Sequence, residues 1–203
     1  MAMKRIKNGD IIEISLENSF GFAYAKYLKA NLVWKGLNLP DILRVFLYTS
    51  KMPLTNTSVI NEELLLFAPI SISGSIYKQQ WRHRIVGNSE IRIQDYFLPF
   101  VKSKWPPLDP DTNQLVYFEN LGDTSTLKEA SYEQVRHLEF SRQLALQNLP
   151  FKITLELMKL EDYNIETLKN NLSWIEKAEF DCSYDLPPYS KLPDEIKGRV
   201  ASI

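Results

Sequence analysis

Cysteine and histidine are almost missing from this 203-residue chain: Cys182 stands alone, and the histidines are His83 and His137. One cysteine cannot form an intramolecular disulfide, so a cross-linked secreted scaffold is excluded and a reducing cytoplasm is the expected setting. The histidines form no H-x-x-x-H or E-x-x-H pair and no C-x-x-C occurs, so the spacing of a metal site is absent. The seven glycines are scattered, and neither G-x-G-x-x-G nor a P-loop can be written, which argues against a phosphate cradle. The longest apolar run, residues 64–70, contains Pro69 and falls far short of the roughly 20 residues a membrane span needs. The N-terminal M-A-M-K-R-I-K-N-G-D is basic but lacks the apolar centre of a secretory signal.

An excess of one charge is lacking too. Lys and Arg number 24 against 25 Asp and Glu, which argues against a dedicated nucleic-acid binder and does not exclude a locally charged face. Paired nucleophiles and acids are equally scarce. Cys182 sits in D-C-S-Y-D, where Asp181 and Asp185 should raise the thiol pKa. The carboxylate pairs Glu62/Glu63 and Glu161/Asp162 are sequence neighbours, which point about 100° apart on a helix. No catalytic, cofactor-binding or metal-binding residue is therefore expected. A hydrolase assembled from distant residues, His83 with Asp95 or Cys182, is the enzymatic alternative.

What is present is a core-forming composition, with 44% hydrophobic and 12% aromatic residues. Residues 10–17 alternate, Ile12, Ile14 and Leu16 against Glu13, Ser15 and Glu17, the period of a strand with one buried face. Asn18, Ser19 and Gly21 suit a reversal. The return strand 22–29 places Phe22, Tyr24 and Leu28 on one face and Ala23, Ala25 and Tyr27 on the other, so it should be covered on both. Segment 42–49, I-L-R-V-F-L-Y-T, reads as a central strand. Asn61 is a candidate cap for a short helix over 62–67. Strands are expected at 70–75, 81–87 and 115–119, and the proline-rich 105–110 is the best boundary. Beyond it, Ser131 and Gln134 have capping-box spacing for a helix reaching about residue 149. Residues 151–157 alternate strictly, which favours a strand, although Leu, Glu, Lys and Met are also good helix formers, so strand and helix both stay open. Ile165, Leu168, Leu172 and Ile175 form the clearest helical stripe, with Asn164 as its cap. The tail from 180 should be irregular.

The fold expected is α+β: a strongly twisted antiparallel sheet or open barrel from the N-terminal half, with two or more C-terminal helices packed on it. Residues 1–104 form the β-rich region and 105–203 the mainly helical one, together one continuous unit.

Trp81-Arg82-His83-Arg84, with Lys78 upstream, is the most suggestive basic cluster. In a strand Arg82 and Arg84 share a face. They form either an anion or acidic-partner site or the outer face of a sheet that buries Trp81.

The order of these features resembles the Immunity protein 26 family of bacterial polymorphic toxin systems. G-D-I-I-E-I-S-L at 9–16 and G-F-A-Y-A-K-Y-L at 21–28 are similar to its opening hairpin. W-R-H-R-I-V-G-N at 81–88 resembles its Trp-x-x-Ile-Gly segment, here with Val86 before Gly87. The resemblance covers about residues 4–102 and departs at Phe22-Ala23-Tyr24, where a glycine beside the tyrosine is more usual. It implies a cytoplasmic inhibitor that binds a cognate toxin, with no catalysis, cofactor or membrane. Trp34, Tyr48, Arg82 and Arg84 are the candidate partner-binding residues, because aromatic and arginine anchors dominate such interfaces. The alternative is a small-barrel module for nucleic acid or a small ligand.

Overall fold

Alternation at the N-terminus becomes the hairpin it predicts. In the computed structural model, which describes residues 6–16, 20–34, 39–73, 83–105, 114–121 and 123–200, β1 (Asp10–Ser15) pairs antiparallel with β2 (Phe22–Leu28). Gly9 enters this hairpin at φ +83°, and a Cβ there would lie 2.4 Å from the Ser89 carbonyl oxygen, so only glycine fits. A short helix, α1 (Ala30–Val33), leads to β3 (Ile42–Ser50), and β4 (Ile70–Ser73) and β5 (His83–Asn88) follow. Next come β6 (Phe97–Leu98), β7 (Val101–Trp105), β8 (Gln114–Phe118) and β9 (Leu127–Glu129). The remainder supplies α2 (Tyr132–Val135), β10 (Glu139–Phe140), β11 (Gln143–Ala145), α3 (Leu149–Leu160), α4 (Trp174–Ser183) and β12 (Arg199–Val200).

The class is α+β, and the main sheet stays open. Its order is β11-β4-β3-β2-β1-β5, beside a four-stranded sheet β10-β7-β8-β9 and a β12-β6 pair. β11 and β10 each run parallel to their neighbours, β4 and β7, so the sheets are mixed rather than antiparallel throughout. Both sheets and the small pair thus take strands from the two halves of the chain.

Both faces of β2 are covered, as its apolar pattern requires. Ala23, Ala25 and Tyr27 join Ile12, Ile14, Leu43 and Val45 beneath Ile153 and Leu157 of α3. On the other face Tyr24 packs with Ile11 and Phe46 under Ile60 and Leu65 of the β3–β4 connection. Burying each such aliphatic side chain is worth about 1.5–3 kcal/mol before chain entropy is charged. A third cluster, around Leu28, Trp34, Leu98, Val101 and Phe118, joins the two larger sheets.

Four local expectations change. Residues 62–67 form no helix: the Asn61 side chain caps only a turn, through Glu63 N–H at 3.0 Å, and the backbone then bonds to β3 through Leu47 N to Leu64 O and Leu66 N to Val45 O. The helix starting at Tyr132 stops at Val135, although its Ser131–Gln134 capping box forms, because residues 139–145 serve as edge strands for both sheets. Residues 151–157 lie in α3, not in a strand; their alternation is misleading because Lys152, Thr154 and Glu156 are buried like Ile153 and Leu155. The stripe at 165–175 is split: a 3-10 turn occupies Ile165–Asn171, and Ser173 with Glu176 caps a new helix, α4. The C-terminal half is consequently less helical than expected. The boundary segment 106–110 lies outside the described residues.

Candidate partner-binding surface

Four strands align one row of polar side chains across the sheet. Tyr48 on β3 meets Tyr24 on β2, ring centroids 5.7 Å apart. Tyr24 stands opposite Glu13 on β1 and donates its hydroxyl to Glu13 Oε2 at 3.0 Å. Glu13 stands opposite Arg84 on β5, whose Nε and Nη2 each reach the carboxylate at 2.9 Å. With strands about 4.8 Å apart, the row spans roughly 14 Å.

The β3–β4 connection clamps one end of this row. Leu54 N–H donates to Glu13 Oε2 at 2.9 Å, and Leu54 O accepts from Arg84 Nη2 at 2.8 Å. Burial pushes the Glu13 carboxyl upward, but hydrogen bonds from Arg84, Leu54 and Tyr24 outweigh it and leave the pKa below the ordinary value. The Tyr24 hydroxyl is raised by burial and by the Glu13 charge. Glu13 is therefore an anion that fixes Arg84, whose side chain remains 52% exposed. A guanidinium held at one edge and open at the other has little rotamer entropy left to lose on binding.

β5 is an edge strand, and its edge is irregular. The register against β1 shifts between Ile11↔Gly87 and Ile12↔Ile85, leaving Val86 as the extra residue. A Cβ at Gly87 would come within 2.9 Å of Thr57 Oγ1, so glycine lets the β3–β4 connection close over this strand. Such a bulge discourages unspecific strand pairing.

The four residues singled out from sequence have different placements. Tyr48 and Arg84 sit at opposite ends of the row just described. Trp34 is 1% exposed, packs between the sheets and donates Nε1–H to Tyr96 O at 3.1 Å, so its surroundings are core. Arg82 lies outside the described residues, as do Lys78 and Trp81. Sequence reasoning missed Glu13 and Tyr24, the residues linking the two ends. The one local signal is a glutamate flanked by Ile12 and Ile14, and by alternation it reads as the solvent face.

Two buried ionic clusters have the residue types of chemistry without its geometry. Lys26 Nζ, 0% exposed, bonds Asp95 Oδ2 at 2.7 Å, Glu62 Oε2 at 3.0 Å and Glu90 O at 2.7 Å, while Arg44 holds the other Asp95 oxygen. Asp95 is thereby committed to two cations and to Arg92 N–H. In the second cluster Lys152 Nζ reaches Glu139 at 2.9 Å, Glu179 at 3.5 Å and Glu156 at 3.8 Å. Lys152 also donates to Ser183 Oγ at 3.0 Å, the pairing of a serine–lysine dyad. Burial alone would lower the Lys152 pKa, but the three carboxylates raise it above its ordinary value, which favours the charged ammonium over the neutral amine that a dyad uses as its base. Burial raises the Glu156 carboxyl, whereas at Glu179 the Lys152 and Arg142 charges overcome burial and lower it. The Cys182 thiol is raised as expected, though by burial first and by Glu179 and Glu139, rather than by Asp181 and Asp185. Among the described residues no group of three or more His, Cys, Asp and Glu could hold a metal ion, and no helix is long and apolar enough to cross a membrane.

Neither the curated proteins nor the solved structures contain a match to this chain. Residues 7–106, the segment that carries Glu13, Tyr24, Tyr48, Arg84 and Asp95, match the family model of Immunity protein 26.

Proposed function

We propose that this chain is an immunity protein: it binds a cognate bacterial toxin in the cytoplasm and blocks it by occlusion, without catalysis of its own. The observation that carries this reading is the Immunity protein 26 match over 7–106. The row from Tyr48 to Arg84 supports it, because it lies within that segment and offers an aromatic and an arginine held by neighbours, the residue types that dominate binding energy at interfaces. Occlusion needs no reactive group, only a surface that covers about 800 Å² of the toxin.

The test is expression of a toxin-like protein encoded beside this one, with and without this chain. Rescue of growth together with co-purification of the two proteins supports the proposal. A neighbouring product that is harmless, or that never binds this chain, removes it.

A further inference from the structure

The charges of this near-neutral chain are segregated. Residues 1–106 hold 14 Lys and Arg against 8 Asp and Glu, and residues 107–203 hold 10 against 17. Much of the acidic excess lies around α4, whose outward face is unpartnered. Trp174, Ala178 and Asp181 follow the spacing i, i+4, i+7, one stripe along the helix, and Asp185 follows in the turn just past its C-cap Tyr184. Each of them is exposed, with Trp174 at 81%, while Glu179, Phe180 and Ser183 are buried on the opposite side.

Around this stripe the surface is aromatic and already fixed. Tyr132 donates its hydroxyl to Asp185 at 2.5 Å, Tyr184 donates to Glu166, and Lys169 Nζ lies 4.5 Å from the Tyr184 ring centroid while pairing with Glu166 at 2.7 Å. Asp181 is exposed on the same side, within electrostatic reach of Lys169. A tryptophan this exposed leaves a large apolar side chain in water, and tryptophan and tyrosine are the commonest anchors of protein interfaces. Asp181 and Asp185 lie on the same exposed side, in the half of the chain with the acidic excess, and such carboxylates select a cationic counterpart and repel an acidic one.

We propose that the outward face of α4, with Trp174 as its anchor, is a second contact surface for the toxin and takes a cationic patch on it. This rests on the immunity reading above. The contact lies beyond the family-matched segment, so it would adapt a shared sheet to one particular partner.

Binding of the adjacent toxin-like protein to wild type, Trp174→Ala, Asp181→Lys and Arg84→Ala tests this by calorimetry at low and at physiological salt. Trp174→Ala should weaken binding about tenfold or more, as loss of an aromatic anchor does. Asp181→Lys should weaken it and reduce its salt dependence, without loss of folding because Asp181 is exposed. If both α4 variants bind like wild type while Arg84→Ala binds more weakly, the α4 surface is overturned and the immunity reading stands. Failure of wild type to bind overturns both. If sedimentation shows wild type to be a dimer that Asp181→Lys dissociates, the occupant is the basic half of a second copy and the toxin assignment is overturned.

Discussion

The Arg84 guanidinium and the Glu13 carboxylate meet edge to edge through two hydrogen bonds of 2.9 Å, across neighbouring strands and with very different exposure. The Arg84 side chain is 52% exposed and that of Glu13 5%. The pair is therefore asymmetric: Glu13 belongs to the fold and Arg84 belongs to the surface.

That asymmetry predicts unequal costs. Arg84→Ala should lower stability by about 1 kcal/mol or less, because an exposed partner is screened and Glu13 keeps its bonds from Leu54 and Tyr24. Glu13→Gln should cost about 1–3 kcal/mol, because it weakens four hydrogen bonds at a buried site. Urea midpoints of the two variants give the comparison.

The pH dependence of the same site has a definite sign. The folded pKa of Glu13 lies below its ordinary 4.5, so its contribution is complete above that value and is lost as pH falls through the folded pKa. The stability gap between wild type and Glu13→Gln should be full near neutral pH and close progressively below about pH 4. Urea unfolding at neutral and acidic pH measures it, and a gap that widens on acidification would contradict the assignment.

Lys152→Met should be among the most damaging substitutions. It leaves Glu139, Glu156 and Glu179 buried together without their shared cation, and breaking a buried pair in this way costs about 3–5 kcal/mol. Adding Glu139→Gln should recover part of the loss. Thermal unfolding of the single and double variants provides the check.

Tyr48 and Trp34 should separate recognition from folding. Trp34→Ala empties a core site and should cost about 3–5 kcal/mol. Tyr48→Ala, at a partly exposed position, should cost about 1 kcal/mol and weaken toxin binding about tenfold if the row is the interface. Equal loss of stability in both variants would place Tyr48 in the core.

Much of the N-terminal half was legible because its signals are local. Ile12 and Ile14 alternate, β3 is apolar on both faces, and β2 has no polar face, so each strand and its covering could be read directly. The C-terminal half misled for an equally physical reason. Lys152, Thr154 and Glu156 look like a solvent face, and only the carboxylates of Glu139 and Glu179, from other elements, make that face an interior one. Leu172 and Ile175 continued a helical stripe that Ser173 interrupts by capping a new helix.

The candidate site divides in the same way. Arg84 was visible as part of a basic cluster and Tyr48 as an aromatic at the end of a strand. Glu13 reads as solvent-facing because nothing local shows that Leu54, 41 residues away, donates to it. Trp34 reads as an anchor from its place in a connecting segment, although Tyr96, 62 residues away, accepts its indole N–H inside the core.

By itself the sequence determined the class, the opening hairpin, the family resemblance of the first half and the charge difference between the halves, since each depends on residue type or short-range periodicity. Tertiary structure decided which charged residues are buried, which aromatic residues remain outside, and that Tyr48, Tyr24, Glu13 and Arg84 form one row. Those outcomes depend on which strands become neighbours, and neighbours distant in the chain leave no periodic trace in it.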